Sequence, residues 1–285
     1  MSGFLSGNSS TSSGWGGLTN NSTVSGTKEF LQSNSLVAKV AFLVLVVILF
    51  VILLRLGSTL ITWIFSPSKN PKLVNGMKNA KHLKHIPANP TKKHSIPILR
   101  SNNQRDGIEF TWSVWLYIDD LEYNKGVMKH IFHKGDDKVI SQNIDIASTA
   151  TCPALYLHQN KNALIIFMNT FGSMNEQVEI DDIPLNKWIN VAIRIEGKIM
   201  DVYINGKISK RHIFDAVPMQ NYGDTYVNAN GGFSGMISDL WYHNRALNGV
   251  ELLDIVNKGP SLSAQDDIKI FPPYLSLKWY FQQKE

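Results

Sequence analysis

From Val40 to Leu54 the chain runs through fifteen apolar residues without a charge, and no other segment restricts its possible architectures as much. Lys39 and Arg55 bracket the run, and Leu56, Leu60, Ile61, Trp63, Ile64 and Phe65 extend it. Fifteen helical residues reach only about 22 Å, short of the roughly 30 Å hydrocarbon core of a bilayer. Basic side chains at the ends carry their charges to the interface, so a helix over residues 36–65 is long enough to cross. A long polar tail precedes the run, with no basic n-region or small-residue cleavage site, which argues against a signal peptide. That tail, residues 1–35, is mostly Ser, Gly, Asn and Thr. It has too little apolar surface to offset its ordering entropy, and a flexible segment is expected.

Charge predicts the orientation. Between Glu29 and Asp106 there is no Asp or Glu, while residues 30–105 hold eleven Lys and Arg. Most of these follow the apolar run, which places the C-terminal part in the cytoplasm and the tail outside. The Asn-x-Ser/Thr acceptors Asn8, Asn20 and Asn21 all lie in the tail, as glycosylation on the outer side would require. The single cysteine, Cys152, fits a reducing compartment. Residues 106–285 hold sixteen Lys and Arg against twenty-two Asp and Glu, a formal −6. The basic character therefore belongs to the stretch beside the apolar run, not to the rest. Arg55, Lys69, Lys72, Lys78, Lys81 and Lys84 are expected to meet anionic headgroups, at about 1 kcal/mol each. The bilayer, and not nucleic acid, is the partner this pattern predicts.

Residues 66–104 contain Pro67, Pro71, Pro87, Pro90 and Pro97, which break any long helix. The expectation is a basic linker, extended apart from a short helix over residues 75–85. From Gly107 the pattern changes. Phe110, Trp112, Val114 and Leu116 alternate with Thr111, Ser113, Trp115 and Tyr117, the period of a strand. Residues 163–168 are continuously apolar, as in a strand covered on both faces. Residues 188–195 and 200–204 read as strands, with a turn at Glu196-Gly197-Lys198. Asn205-Gly206 is the strongest hairpin signal in the chain. A further strand is predicted over residues 233–242. Asn248, Glu251 and Gly259 then predict a short helix with a capping box and a glycine stop. Many short strands with almost no helix imply an antiparallel two-sheet sandwich, mainly β.

These residues resemble a known family. Phe110-Thr111-Trp112-Ser113-Val114-Trp115-Leu116 is similar to the opening strand of laminin-G-like domains, and Ile131-Phe132-His133-Lys134-Gly135-Asp136 to the second. Residues 184–192, with Trp188, resemble the central strand, which runs into the Tyr203-Ile204-Asn205-Gly206 hairpin. Phe233 to Asp239, with Asn244-Arg245-Ala246-Leu247 and Glu251, resembles the closing segment. The five blocks stand in the family's order over residues 105–260, which leaves 261–285 as a C-terminal extension. The resemblance implies a concanavalin-A-like jelly roll. Trp112 and Trp188 are expected between the sheets, and Asp239 is expected to bond backbone or the Asn244-Arg245 turn.

Family members carry either of two chemistries. Glu179-Ile180-Asp181-Asp182-Ile183 is similar to the catalytic strand of some jelly-roll glucanases, which need two carboxylates about 5 Å apart. Pro184 stands where the second glutamate would be, so a non-enzymatic chain is expected. Calcium binding at one rim is the other chemistry, with Asp136, Asp137, Asp224, Asn228 and Asn230 as the candidate oxygens. Solvated turns account for them equally well. No Cys/His spacing suggests zinc, and no cofactor is expected. A laminin-G-like domain behind a single anchor resembles proteins of large DNA viruses with an internal membrane. It implies a minor capsid protein or membrane-to-capsid tether, in the virion inner membrane, that contacts other structural proteins. The alternative is a lectin-like membrane receptor that binds glycan. Tyr222, Tyr226, Trp241 and Tyr242 are aromatics that could stack on sugar, with core packing as their other role.

Overall fold

The computed structural model describes residues 36–137, 150–174 and 176–263. The polar tail with Asn8, Asn20 and Asn21, and residues 264–285 of the C-terminal extension, lie outside the described residues. The chain divides into two units, Met1–Ser66 and Pro67–Glu285.

In the first unit, helix α1 spans Leu36–Phe65, long and apolar enough to cross a membrane. Its large apolar side chains are exposed almost throughout. The hydroxyls in its last turns do not compete with the helix. Ser58 and Thr59 donate to the Arg55 carbonyl at 2.9 and 2.8 Å, and Thr62 donates to the Ser58 carbonyl at 2.8 Å. These three hydroxyls thus find their partners inside the helix, as an apolar surrounding demands.

The second unit is a sandwich. Its strands are β1 (Met77–Asn79), β2 (Lys84–Ile86), β3 (Asn102–Gln104), β4 (Gly107–Ile118), β5 (Lys129–Gly135), β6 (Thr151–Leu157), β7 (Ala163–Met168), β8 (Glu176–Asp181), β9 (Trp188–Glu196), β10 (Ile199–Ile204), β11 (Lys207–Ile213), β12 (Asp224–Val227) and β13 (Gly235–His243). Helix α2, Gly249–Lys258, follows. Among the described residues one sheet has the order β1-β13-β4-β9-β10-β11, with β3 also on β4, and the other has the order β2-β12-β5-β6-β7-β8. All pairs are antiparallel. We call them the first and second sheet.

Alternation decides what faces inward. Phe110, Trp112, Val114, Leu116 and Ile118 of β4 enter the core, as do Ile189, Val191, Ile193 and Ile195 of β9. From the second sheet Leu155, Leu157, Leu164, Ile166 and Met168 meet them. Trp112, 1% exposed, stacks on Phe132 at 5.2 Å between ring centres and tilts against Tyr242 at 5.1 Å. Trp112→Ala removes the largest contact between the sheets. It should lower stability by about 3–5 kcal/mol, read as a fall in the urea midpoint with unchanged slope. Trp188 does not share this role. It stands in register with Tyr117, 5.6 Å from its ring, on the outer face of the first sheet. The period of two places residue 188 opposite to Ile189, so the expected core position is corrected.

The segment expected as a linker is part of the sandwich. β1 pairs with β13 and β2 with β12, one at the edge of each sheet. Leu73, Val74, Ala80 and Ile86 are buried in the main core. The first backbone bonds come early: Asn244 N–H donates to Lys69 O at 3.3 Å, Tyr242 N–H to Pro71 O at 3.1 Å and Leu73 N–H to Leu240 O at 2.7 Å. No helix forms over residues 75–85. The prolines exclude a helix but not short edge strands, which tolerate missing donors. Close approach holds the segment down. Gly232, at φ 53°, lies where a Cβ would collide with the Ala80 carbonyl oxygen.

The local signals are otherwise realised. Asn205 and Gly206, at φ 50° and 76°, turn β10 into β11. Asn248 accepts from the Glu251 N–H at 2.9 Å while Glu251 accepts from the Asn248 N–H at 3.0 Å, and Gly259 closes the helix at φ 71°.

Candidate binding site

The outer face of the first sheet is built from the odd positions of β4 and the even positions of β9. Thr111 latches the turn before α2: its hydroxyl donates to Arg245 O and accepts from Leu247 N–H, both at 3.0 Å. Arg194 Nε donates to Leu247 O at 2.8 Å. An ion pair between Arg245 and Glu251 fixes the first turn of the helix and holds the Glu251 carboxyl down at about 2. Leu247 and Leu252 pack on Ala192, with Ile255 beside them, so α2 lies across this face.

Where α2 ends, a cleft of about 250 Å³ opens, lined by Lys72, Ser113, Trp115, Asp239, Trp241 and Lys258 among others. Its floor comes from a break in β13. The register shifts between Ser238 and Trp241, and Asp239 adopts φ 50°. The bulge frees its carboxylate to gather three segments. Asp239 Oδ1 accepts from Gly76 N–H at 3.0 Å and pairs with Lys72 Nζ at 2.7 Å, and Oδ2 accepts from Ser261 N–H at 3.2 Å. Asp239 therefore bonds backbone as expected, but not the Asn244-Arg245 turn. Lys72 also lies over the Trp241 ring, 5.3 Å from its centre. Asn190 Nδ2 donates to Ser113 Oγ at 3.1 Å, which leaves the Ser113 O–H to donate elsewhere.

The sequence candidates fall elsewhere. Of the membrane-facing set, Arg55 is exposed within α1 and Lys69 is exposed at the start of the sandwich. Lys72 is held by Asp239, and Lys78 stands opposite Ile237 in β1. Lys81 lies 4.5 Å from the Tyr123 ring centre. Lys84 donates to Leu73 O at 2.8 Å, and burial lowers its ammonium to about 8. Lys72 and Lys84 thus make internal bonds within the sandwich.

The calcium candidates divide between two ends of one strand pair. Asp224 stands opposite Gly135, so Asp136, Asp137 and Asp224 share one end of β12, while Asn228 and Asn230 follow its other end. Four strand residues span about 13 Å. Both oxygens of Asp224 are taken, by Ala88 N–H and by His85 Nε2, each at 2.8 Å. Among the described residues no three His, Cys, Asp or Glu side chains gather to hold a metal ion. The five candidates therefore do not form one cluster. Glu179 meets Lys161 at 3.3 Å on the edge strand β8, next to the turn with Pro184.

Sequence reading did not single out the histidines that organise the outer face of the second sheet. His130 Nδ1 accepts from Ala229 N–H at 2.9 Å, which puts its proton on Nε2. That proton points at His133 Nδ1, 2.7 Å away, and His133 Nε2 donates to Asp136 O at 3.1 Å. Both rings are neutral links in one directional chain. Tyr226 stacks between His133 and His85, and Tyr156 meets His130 edge-on. Burial keeps His130 well below the usual histidine range, helped by its neighbour His133. It lowers His133 to about 4. Tyr226 and Tyr242 are packed inside, while Tyr222 is exposed.

Comparison with known proteins follows this geometry. The family model described as the concanavalin A-like lectin/glucanases superfamily matches residues 93–252. The chain belongs to that superfamily. No curated protein matches it. Solved structures that resemble it include the receptor-binding domain of botulinum neurotoxin C/D mosaic serotype (14% identity, TM-score 0.41, covering 53% of this chain and 36% of that one). A second is the botulinum neurotoxin serotype D ligand-binding domain in complex with N-acetylneuraminic acid (14%, 0.44, 67% and 42%). A third is the binding domain of Paraclostridial Mosquitocidal Protein 1 (14%, 0.42, 65% and 46%). The chain spans less than half the length of each.

Proposed function

We propose that this superfamily member is a non-enzymatic, single-pass membrane-anchored recognition protein: α1 anchors it, and the sandwich binds carbohydrate. The observation that carries the reading is the cleft beside α2, walled by Trp115 and Trp241 and supplied with a carboxylate, two ammonium groups and a serine hydroxyl. Ligand sites of this kind combine apolar aromatic walls with a few convergent polar groups. The absence of a second glutamate at Pro184 supports a binding role over hydrolysis. The full chain, reconstituted in lipid nanodiscs, is expected to bind a subset of glycans on an array. A blank array from folded protein would overturn the reading.

One observation favours a second reading, a membrane-to-capsid tether or minor capsid protein. Residues 66–68 alone separate the end of α1 from the first backbone bond of the sandwich. So short a connection suits a tether between a bilayer and a layer of structural protein. Topology discriminates between them. If microsomes glycosylate the tail and protease digests the sandwich, the domain faces the cytosol. The tether then stands and an outward-facing receptor does not.

A further inference from the structure

We propose that the cleft at the end of α2 selects an acidic sugar, one whose ring carries a carboxylate, and that Lys258 is the residue that reads the charge. This deepens the carbohydrate reading above and rests on it. Three features of the cleft converge on that ligand.

The first is the charge left over once internal pairs are matched. Asp239 is already met by Lys72 and by the N–H groups of Gly76 and Ser261. Its negative charge is therefore balanced within the wall. Lys258, exposed in the last turn of α2, has no carboxylate partner among the described residues. The cleft thus carries one surplus positive charge. A cation without a carboxylate partner favours an anionic ligand, and its long stem leaves the ammonium free to follow the carboxylate.

The second is shape. A cleft of about 250 Å³ lies near the lower end of small-molecule sites, the scale of one sugar ring with its substituents. The third is the wall itself. Trp115 is buried, so the half-buried Trp241 supplies the indole whose negative face and apolar area suit the polarised C–H face of a pyranose. Lys72, held over Trp241 by Asp239, keeps that indole in place. Ser113 lines the cleft at its base, and its bond from Asn190 leaves the O–H unused.

The test uses the full chain in nanodiscs of phosphatidylcholine, so that no anionic lipid competes. Methyl β-D-glucuronide and methyl β-D-glucoside, which differ only in carboxylate against hydroxymethyl, are titrated by ligand-observed NMR. The glucuronide is expected to bind at least tenfold more tightly, with the preference lost in Lys258→Ala and kept in Lys258→Arg. Because Lys258 is exposed, neither change threatens folding. Equal binding of the two sugars sinks the acidic preference and leaves the carbohydrate reading intact. A preference that survives Lys258→Ala sinks the assignment of this cleft. If neither sugar binds, while the glycan array is positive, the inference fails alone; if the array is also blank, both fail.

Discussion

A chain shortened to residues 105–285, the part whose sequence reads as the complete domain, is expected not to fold. It lacks β1, β2 and β3, and with them Leu73, Val74, Ala80 and Ile86, each no more than 2% exposed. Burial of a Leu, Val or Ile side chain contributes about 1.5–3 kcal/mol, so the loss is on the order of 6 kcal/mol. Domains of this size are stable by about 5–15 kcal/mol, and the shortened chain also bares the edges of β12 and β13 for aggregation. Residues 67–285 should give a cooperative thermal transition, and residues 105–285 should give none. If both melt alike, residues 67–104 are a linker after all. The result matters in practice, since binding assays on the shorter piece would report on an unfolded chain.

Acid is expected to unfold the sandwich. In the folded state His133 and His243 titrate at about 4 rather than the ordinary 6.5, chiefly because burial disfavours their charged forms, with Arg245 adding to the effect at His243. A lowered folded value means that the unfolded chain takes up protons first as pH falls. The stability from these groups is therefore complete above about 6.5 and is lost as pH falls towards 4. A shift of this size corresponds to about 3 kcal/mol per group. His130 acts in the same direction. Its free lone pair is engaged by Ala229 N–H, and that of His133 by His130, so a proton on either ring destroys a hydrogen bond. Urea midpoints should fall steeply between pH 7 and pH 4.5. His243→Gln should flatten that slope. A midpoint independent of pH over this range would show that the rings are neither neutral nor buried in the native state.

The proposed binding cleft depends on one arrangement of the second unit. The groups that hold α2 across the first sheet, Thr111, Arg194 and the Arg245–Glu251 pair, are those that place Lys258 at the cleft. The histidine chain lies on the other sheet. Acid therefore acts on the sandwich as a whole, while Lys258 substitutions act on the cleft.

Much of the fold was legible locally. The apolar run gave α1 its type and its limits, Leu36–Phe65. The alternation along β4 named its core residues, and it also put Ser113 and Trp115 together on the other face. The continuous run at 163–168 is β7, buried on both sides. Asn205-Gly206 and the Asn248–Glu251 box fixed a hairpin and a helix start. Each of these is a property of consecutive residues: a period, a positive φ or a cap.

What the sequence could not supply is long-range register. β1 and β2 are three residues each, too short to show a period, and they exist only because β13 and β12 offer them an edge. The same pairing draws Lys72 from a supposed spacer to Asp239, and the bulge in β13 turns that aspartate towards it. Asp136, Asp224 and Asn228 are candidate oxygens whose convergence the sequence does not show, and they stand at two ends of a strand. By itself the sequence determined the apolar helix, the strand alternation and the superfamily. The tertiary structure decided where the domain begins, which lysines are free and where a cleft opens, because antiparallel pairing joins residues more than a hundred positions apart.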